Sequence, residues 1–182
     1  LVPNKKKLSK KKIKEINLLI IPGGNDVSNV LKTSKIRNII EKNLIKICFK
    51  KKIPILGICR GAQLLNKSFG GKISKIKKHM RTRHNIFFTN REIIKKNFLN
   101  VNSFHNDGIK KNDLSKSFKV LASDKHNNIE MFISKEPREH LDLTSFFNGS
   151  SRELSDFGRR VFISINRLFT ERISTLQVSS PL

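Results

Sequence analysis

Residues 51–71 read KKIPILGICRGAQLLNKSFGG, and within them an apolar run over 53–58 stops at a cysteine flanked by Gly57 and Gly61. A helical pattern begins immediately afterwards. Strand, tight turn and helix in that order predict that Cys59 sits on a sharp elbow. An elbow of this kind demands small residues two before and two after the side chain it presents, because bulk there strikes the adjoining strand and helix. It also sets the thiol at a helix N-terminus, where the dipole and unbonded N–H groups favour thiolate. The competing interpretation is a structural cysteine in a tight connection, since cysteine is among the most buried residue types. Cys48 lies within an apolar helical stripe and is expected in the core.

The flanking segments supply the surroundings of that turn. Residues 16–26, INLLIIPGGND, form a continuous apolar run closed by Pro-Gly-Gly, the pattern of a strand buried on both faces followed by a tight loop. Ile36, Ile39, Ile40, Leu44, Ile47 and Cys48 recur at helical spacing over residues 30–49. Strand, helix, strand, helix predicts a right-handed parallel α/β unit. Further strands are expected over 84–89 and 98–104, and a hairpin joins 118–122 to 130–133 around the turn DKHNN. Beyond Lys135 the periodicity weakens, and residues 159–177 fit a helix or a strand equally well.

Composition narrows the functional classes. The 182 residues suffice for one domain with a real core. The net charge of +24 resides entirely in residues 1–135, which hold 27 Lys, 5 Arg and 8 acidic residues, whereas 136–182 contain no Lys and are neutral. The lysines occur in short runs between apolar segments, without the aromatic interleaving of single-strand binders, so no specific nucleic-acid partner is expected. No apolar stretch reaches the length of a membrane span, and no membrane partner is expected. Two cysteines without metal-type spacing predict a reducing, cytoplasmic compartment and neither a metal nor another cofactor.

Taken in order, IIPGGND, KKIPILGICRGAQLLN, FGGKI, VNSFHNDGI and NNIEMF resemble the class I glutamine amidotransferase-like hydrolases, in particular the γ-glutamyl hydrolase branch, peptidase family C26. The likeness covers residues 16–133, and KKIPILGICRGAQL with NSFH most resembles members acting on γ-glutamyl-CDP-amidate in capsule biosynthesis. The resemblance implies a flavodoxin-like three-layer α/β/α sandwich with a mostly parallel sheet, its site at the C-terminal edge of the strands. It implies that Cys59 is the nucleophile attacking a γ-glutamyl carbonyl, that Gly24 and Arg60 supply oxyanion-hole N–H groups, and that Gln63, Ser103, Phe104 and His105 hold the glutamyl moiety. The implied partner is a small γ-glutamyl substrate, or additionally a synthase subunit receiving ammonia. Considered singly, Gln63 also fits a helix-surface amide, and His105 a strand-end histidine bonded to backbone.

The family's late G-[IV]-x-W-H-P-E strand, source of its catalytic histidine and glutamate, has no counterpart, and the chain contains no Trp. His140 and Asp142 are weak candidates for base and orienter, in an irregular segment that also fits a surface position. His79, His84 and His126 fall in other segments and are assigned structural or surface roles. The expected organisation is therefore an amidotransferase-like domain over 1–135, incomplete at the N-terminus, and an atypical tail over 136–182, frameshifted or fused. The expected function is thiol-dependent hydrolysis of a γ-glutamyl amide, impaired by loss of the base. A glutaminase subunit and an inactive binding module for anionic ligands are the alternatives.

Overall fold

The computed structural model of the chain describes residues 13–24, 27, 32–89, 97–135 and 162–165. Strand β1 (Leu19–Ile21) leads to helix α1 (Lys32–Lys50), strand β2 (Ile55–Ile58) and helix α2 (Arg60–Ser68). The strands β3 (Ser74–Lys75), β4 (Met80–Phe88), β5 (Phe98–Phe104), β6 (Asp107–Lys110), β7 (Phe118–Asp124), β8 (Asn128–Ser134) and β9 (Phe162–Ile165) follow. The expected parallel unit is present: β1 pairs parallel with β2, Leu19 opposite Ile55 and Ile21 opposite Gly57.

The sheet as a whole corrects the sequence expectation. Its main path runs β1-β2-β9-β8-β7-β4-β5, and only β1–β2 and β2–β9 are parallel. The pairs β9–β8, β8–β7, β7–β4 and β4–β5 are antiparallel, as are β6 with β8 and β3 with β6. The described residues thus form a mostly antiparallel sheet with two α-helices, not a mostly parallel sheet in a three-layer α/β/α sandwich. The physical reason is connection length. Parallel neighbours need a crossover of a dozen or more residues, usually a helix, whereas a tight turn joins strands only antiparallel. The short turn at 125–127 between β7 and β8, with Asn127 at φ 61°, makes a hairpin.

The core gathers Leu19 and Ile21 of β1, Ile40, Leu44, Ile45 and Cys48 of α1, Ile55 of β2 and Leu64 and Leu65 of α2. On the antiparallel side Ile109, Phe118, Ile129 and Phe132 join it. Phe69, just past α2, meets Phe49 and Phe118 edge-on at ring separations of 5.1 and 5.3 Å, tying the helices to β7. Among the described residues no helix is long and apolar enough to cross a membrane.

Candidate active site

Cys59 lies between β2 and α2 with φ 51° and ψ −111°, a backbone conformation that side chains other than glycine rarely adopt. Two glycines permit it. A Cβ at Gly57 would stand 2.8 Å from the Ala62 nitrogen and the Gly61 oxygen, and one at Gly61 would overlap the Ile21 carbonyl oxygen. The strand, the turn and the helix therefore approach one another through backbone alone. Strain of this kind persists only where the surroundings over-determine it, and it concentrates at functional sites.

The Pro-Gly-Gly loop after β1 closes one side. A Cβ added to Gly23 would lie 3.5 Å from Cβ of Cys59, so the loop packs directly on the elbow. Gly24 has φ +136°, and a Cβ there would meet Nη1 of Arg37 at 2.6 Å. Arg37 donates to the carbonyl oxygens of Pro22 at 3.2 Å and Gly23 at 3.1 Å, and its Nε donates to Glu41 at 2.7 Å. Glu41 also accepts from Nη1 of Arg60 at 2.6 Å, and Arg60 donates as well to Oδ1 of Asn38. The Arg60 side chain, 2% exposed, is thus spent on fastening the elbow to α1, leaving its backbone as the part adjacent to Cys59. Loop and elbow are held by one carboxylate.

Gln63 is buried rather than on a helix surface. Its Nε2 donates to the Asp107 carbonyl at 2.7 Å, and the same carbonyl accepts from Nδ1 of His105 at 2.7 Å. Its Oε1 has no hydrogen-bond partner among the described residues. Ser103 and His105 are buried, whereas Phe104 between them is 65% exposed, as alternation along β5 requires. The structure therefore brings Gln63 and His105 onto one carbonyl and turns the Phe104 ring to solvent. His140 and Asp142 lie outside the described residues. Cys48 is fully buried, and burial pushes its thiol pKa up to about 11, which makes it inert.

Sequence reasoning missed a second cluster. His79, which precedes β4, His84 on β4, Asp124 on β7 and Glu130 on β8 converge, with one ligand atom from each lying within 4.8 Å of the others. The His79 carbonyl accepts from the His105 N–H at 3.1 Å, and the two rings stand 5.5 Å apart, so the cluster adjoins the 103–107 segment. Burial pulls the His79 pKa down, but the Asp124 and Glu130 carboxylates and the Lys77 carbonyl together push it further up, to about 9. Burial raises Asp124, and His79, Asn128 and the His126 N–H outweigh it, holding that carboxyl well below the usual range. No local spacing announces the group, because its members come from segments paired only by the tertiary fold.

Residues 1–141 match the family Peptidase C26. A γ-glutamyl-CDP-amidate hydrolase from Campylobacter jejuni is 42% identical over 124 residues, which cover 66% of this chain and 56% of that protein. A glutamine-hydrolyzing GMP synthase subunit from Methanocaldococcus jannaschii is 29% identical over 112 residues, covering 60% of this chain and 53% of that one. The chain thus spans little more than half the length of these two relatives. Among solved structures, a glutamine amidotransferase from Thermotoga maritima superposes with a TM-score of 0.60 at 18% identity, covering 86% of this chain and 58% of that one. That likeness establishes the fold as glutamine amidotransferase-like. On these matches the chain belongs to the peptidase C26 family.

Proposed function

We propose that the chain performs cysteine-dependent hydrolysis of a γ-glutamyl amide, with Cys59 as nucleophile. The observation that carries this reading is the strained backbone of Cys59 at the head of α2, walled by Gly57, Gly61 and the Pro-Gly-Gly loop. In the first step the Cys59 thiolate adds to the γ-carbonyl carbon, and the N–H groups of Gly24 and Arg60 stabilise the oxyanion. The carbon–nitrogen bond then breaks, the amine leaves with a proton drawn from water, and a γ-glutamyl thioester remains. Water adds to the thioester, the carbon–sulfur bond breaks, and glutamate and thiolate are released. Gln63, with its unpartnered buried Oε1, and Ser103 and His105 hold the glutamyl head group.

The similarity to the Campylobacter hydrolase favours a leaving group that is an anionic nucleotide amide, and the +24 net charge draws such an anion in. The leaving amine needs a general acid, a role worth about 10²–10⁴-fold. Strand β9, which runs beside β2, carries Phe162-Ile163-Ser164-Ile165 and no histidine. Turnover by the 182-residue chain is accordingly weak. A γ-glutamyl p-nitroanilide assay tests both points: slow release, abolished by Cys59→Ala and raised by added imidazole, is the expected result. Release unchanged in Cys59→Ala overturns the nucleophile, and rapid release indifferent to imidazole overturns the missing acid. The similarity to the GMP synthase subunit favours a second reading, a glutaminase that feeds a synthase, for which glutamine hydrolysis should rise when the partner is added.

A further inference from the structure

We propose that His79, His84, Asp124 and Glu130 form a closed binding site for one zinc-type divalent cation, which staples β4, β7 and β8 together beneath the 103–107 segment. The inference is independent of the reaction assigned to Cys59, and it departs from the sequence expectation of no metal.

The geometry is that of ligands around a common centre. Nε2 of His79 stands 3.1 Å from Oδ2 of Asp124 and 3.4 Å from Oε1 of Glu130, and Nε2 of His84 stands 3.5 Å from the same Glu130 oxygen. A tetrahedral ion with ligand bonds of about 2.0–2.1 Å has edges of about 3.3–3.4 Å. The other separations stay within 4.8 Å, a spread that small side-chain rotations close. Although Asp124 is near, Nε2 of His79 meets no described group in hydrogen-bond geometry.

The surrounding bonds prepare these atoms as ligands. Nδ1 of His79 lies 2.8 Å from the Lys77 carbonyl, which can only accept, so Nδ1 keeps a hydrogen and Nε2 is the nitrogen that coordinates once the ion displaces its proton. Asp124 is fixed by the His126 and Asn128 N–H groups on Oδ1 and by the Asn128 side chain on Oδ2, each at 2.8 Å. Backbone pairing of Ile86 with Asp124 and of Ser123 with Ile129 brings the three strands into this arrangement. Charge balance favours the ion as well. The Asp124 and Glu130 side chains are 2% and 1% exposed, and a divalent cation that displaces the His79 proton carries the two charges needed to balance both buried carboxylates. Nitrogen and oxygen donors of this mix suit zinc, and four protein ligands make the site structural rather than catalytic.

The test uses the whole 182-residue chain and zinc ion itself. After equilibration with zinc and removal of excess, elemental analysis should find close to one equivalent per chain, and a strong chelator should lower Tm. Cobalt(II) in place of zinc should give the intense visible absorption of a four-coordinate site. His84→Gln, at the least buried of the four positions, should weaken zinc binding about 10-fold or more, and zinc should raise its Tm above its own metal-free value by less than it does for the parent. Metal content well below one equivalent with no Tm response to zinc in the parent chain would overturn the proposal. Zinc binding of undiminished affinity in both His84→Gln and Asp124→Asn would overturn it too.

Discussion

At the scale of single residues, the two glycines around Cys59 differ from the other glycines in what surrounds them. Gly61→Ala drives a methyl group into the Ile21 carbonyl oxygen, a rigid backbone atom, so β1 and α2 must separate. Gly70 has φ +86° but open space around its Cβ position. Urea unfolding should therefore show Gly61→Ala losing about 3 kcal/mol as an overpacked site, and Gly70→Ala about 1 kcal/mol from backbone strain alone. Equal losses would remove the steric account of the elbow. The two cysteines should differ as sharply, with iodoacetamide modifying Cys59 in the folded chain and Cys48 only after denaturation. The elbow was legible in the sequence because its sterics are local, depending on Gly57 and Gly61 and the pattern on either side. The burial of Gln63 was not legible, since the carbonyl it binds belongs to Asp107 on β6, a strand delivered by distant pairing.

At the scale of elements, α1 acts as a clamp on both walls of the candidate site. Glu41 bridges Arg37, which holds the Pro-Gly-Gly loop, and Arg60, which holds the elbow. Glu41→Gln keeps the shape but leaves the buried Arg60 guanidinium without a counter-charge. Breaking such a buried pair should cost about 3 kcal/mol, read as a lower urea midpoint, and should slow alkylation of Cys59. A slower alkylation without loss of stability, or neither effect, would show that the clamp is not Glu41. Secondary structure was legible where periodicity was strong, as for β5 over 98–104 and for α1. Direction within the sheet departs from the mostly parallel arrangement that the family resemblance implies, although the DKHNN turn already requires an antiparallel hairpin between two of the later strands. The short β3 and β6 carry too few residues to show an alternation at all.

At the scale of the whole molecule, β9 is the strand on which the two halves of the sheet meet. It runs parallel to β2, with Gly57 opposite Ser164, and antiparallel to β8, with Phe132 opposite Ser164. A chain ending at residue 135 leaves the facing edges of β2 and β8 unpaired, and open edges invite association between chains. Size-exclusion chromatography should show the shortened chain shifting to larger species, whereas unchanged monomeric elution would mean that β9 is dispensable to the sheet. The net charge of +24 is confined to residues 1–135, yet charge says nothing of which strand completes the sheet. The most direct test of the central claim, that Cys59 is a nucleophile set to receive a γ-glutamyl group, is covalent trapping with the chloromethyl ketone analogue of glutamine. The thiolate displaces chloride and forms one carbon–sulfur bond, which peptide mass spectrometry locates. A single adduct on Cys59, slowed by glutamate and by Gln63→Ala, and none on Cys48, is the expected result. Labelling equally fast by a chloromethyl ketone lacking the amino-acid head group, or no adduct on Cys59, would contradict it.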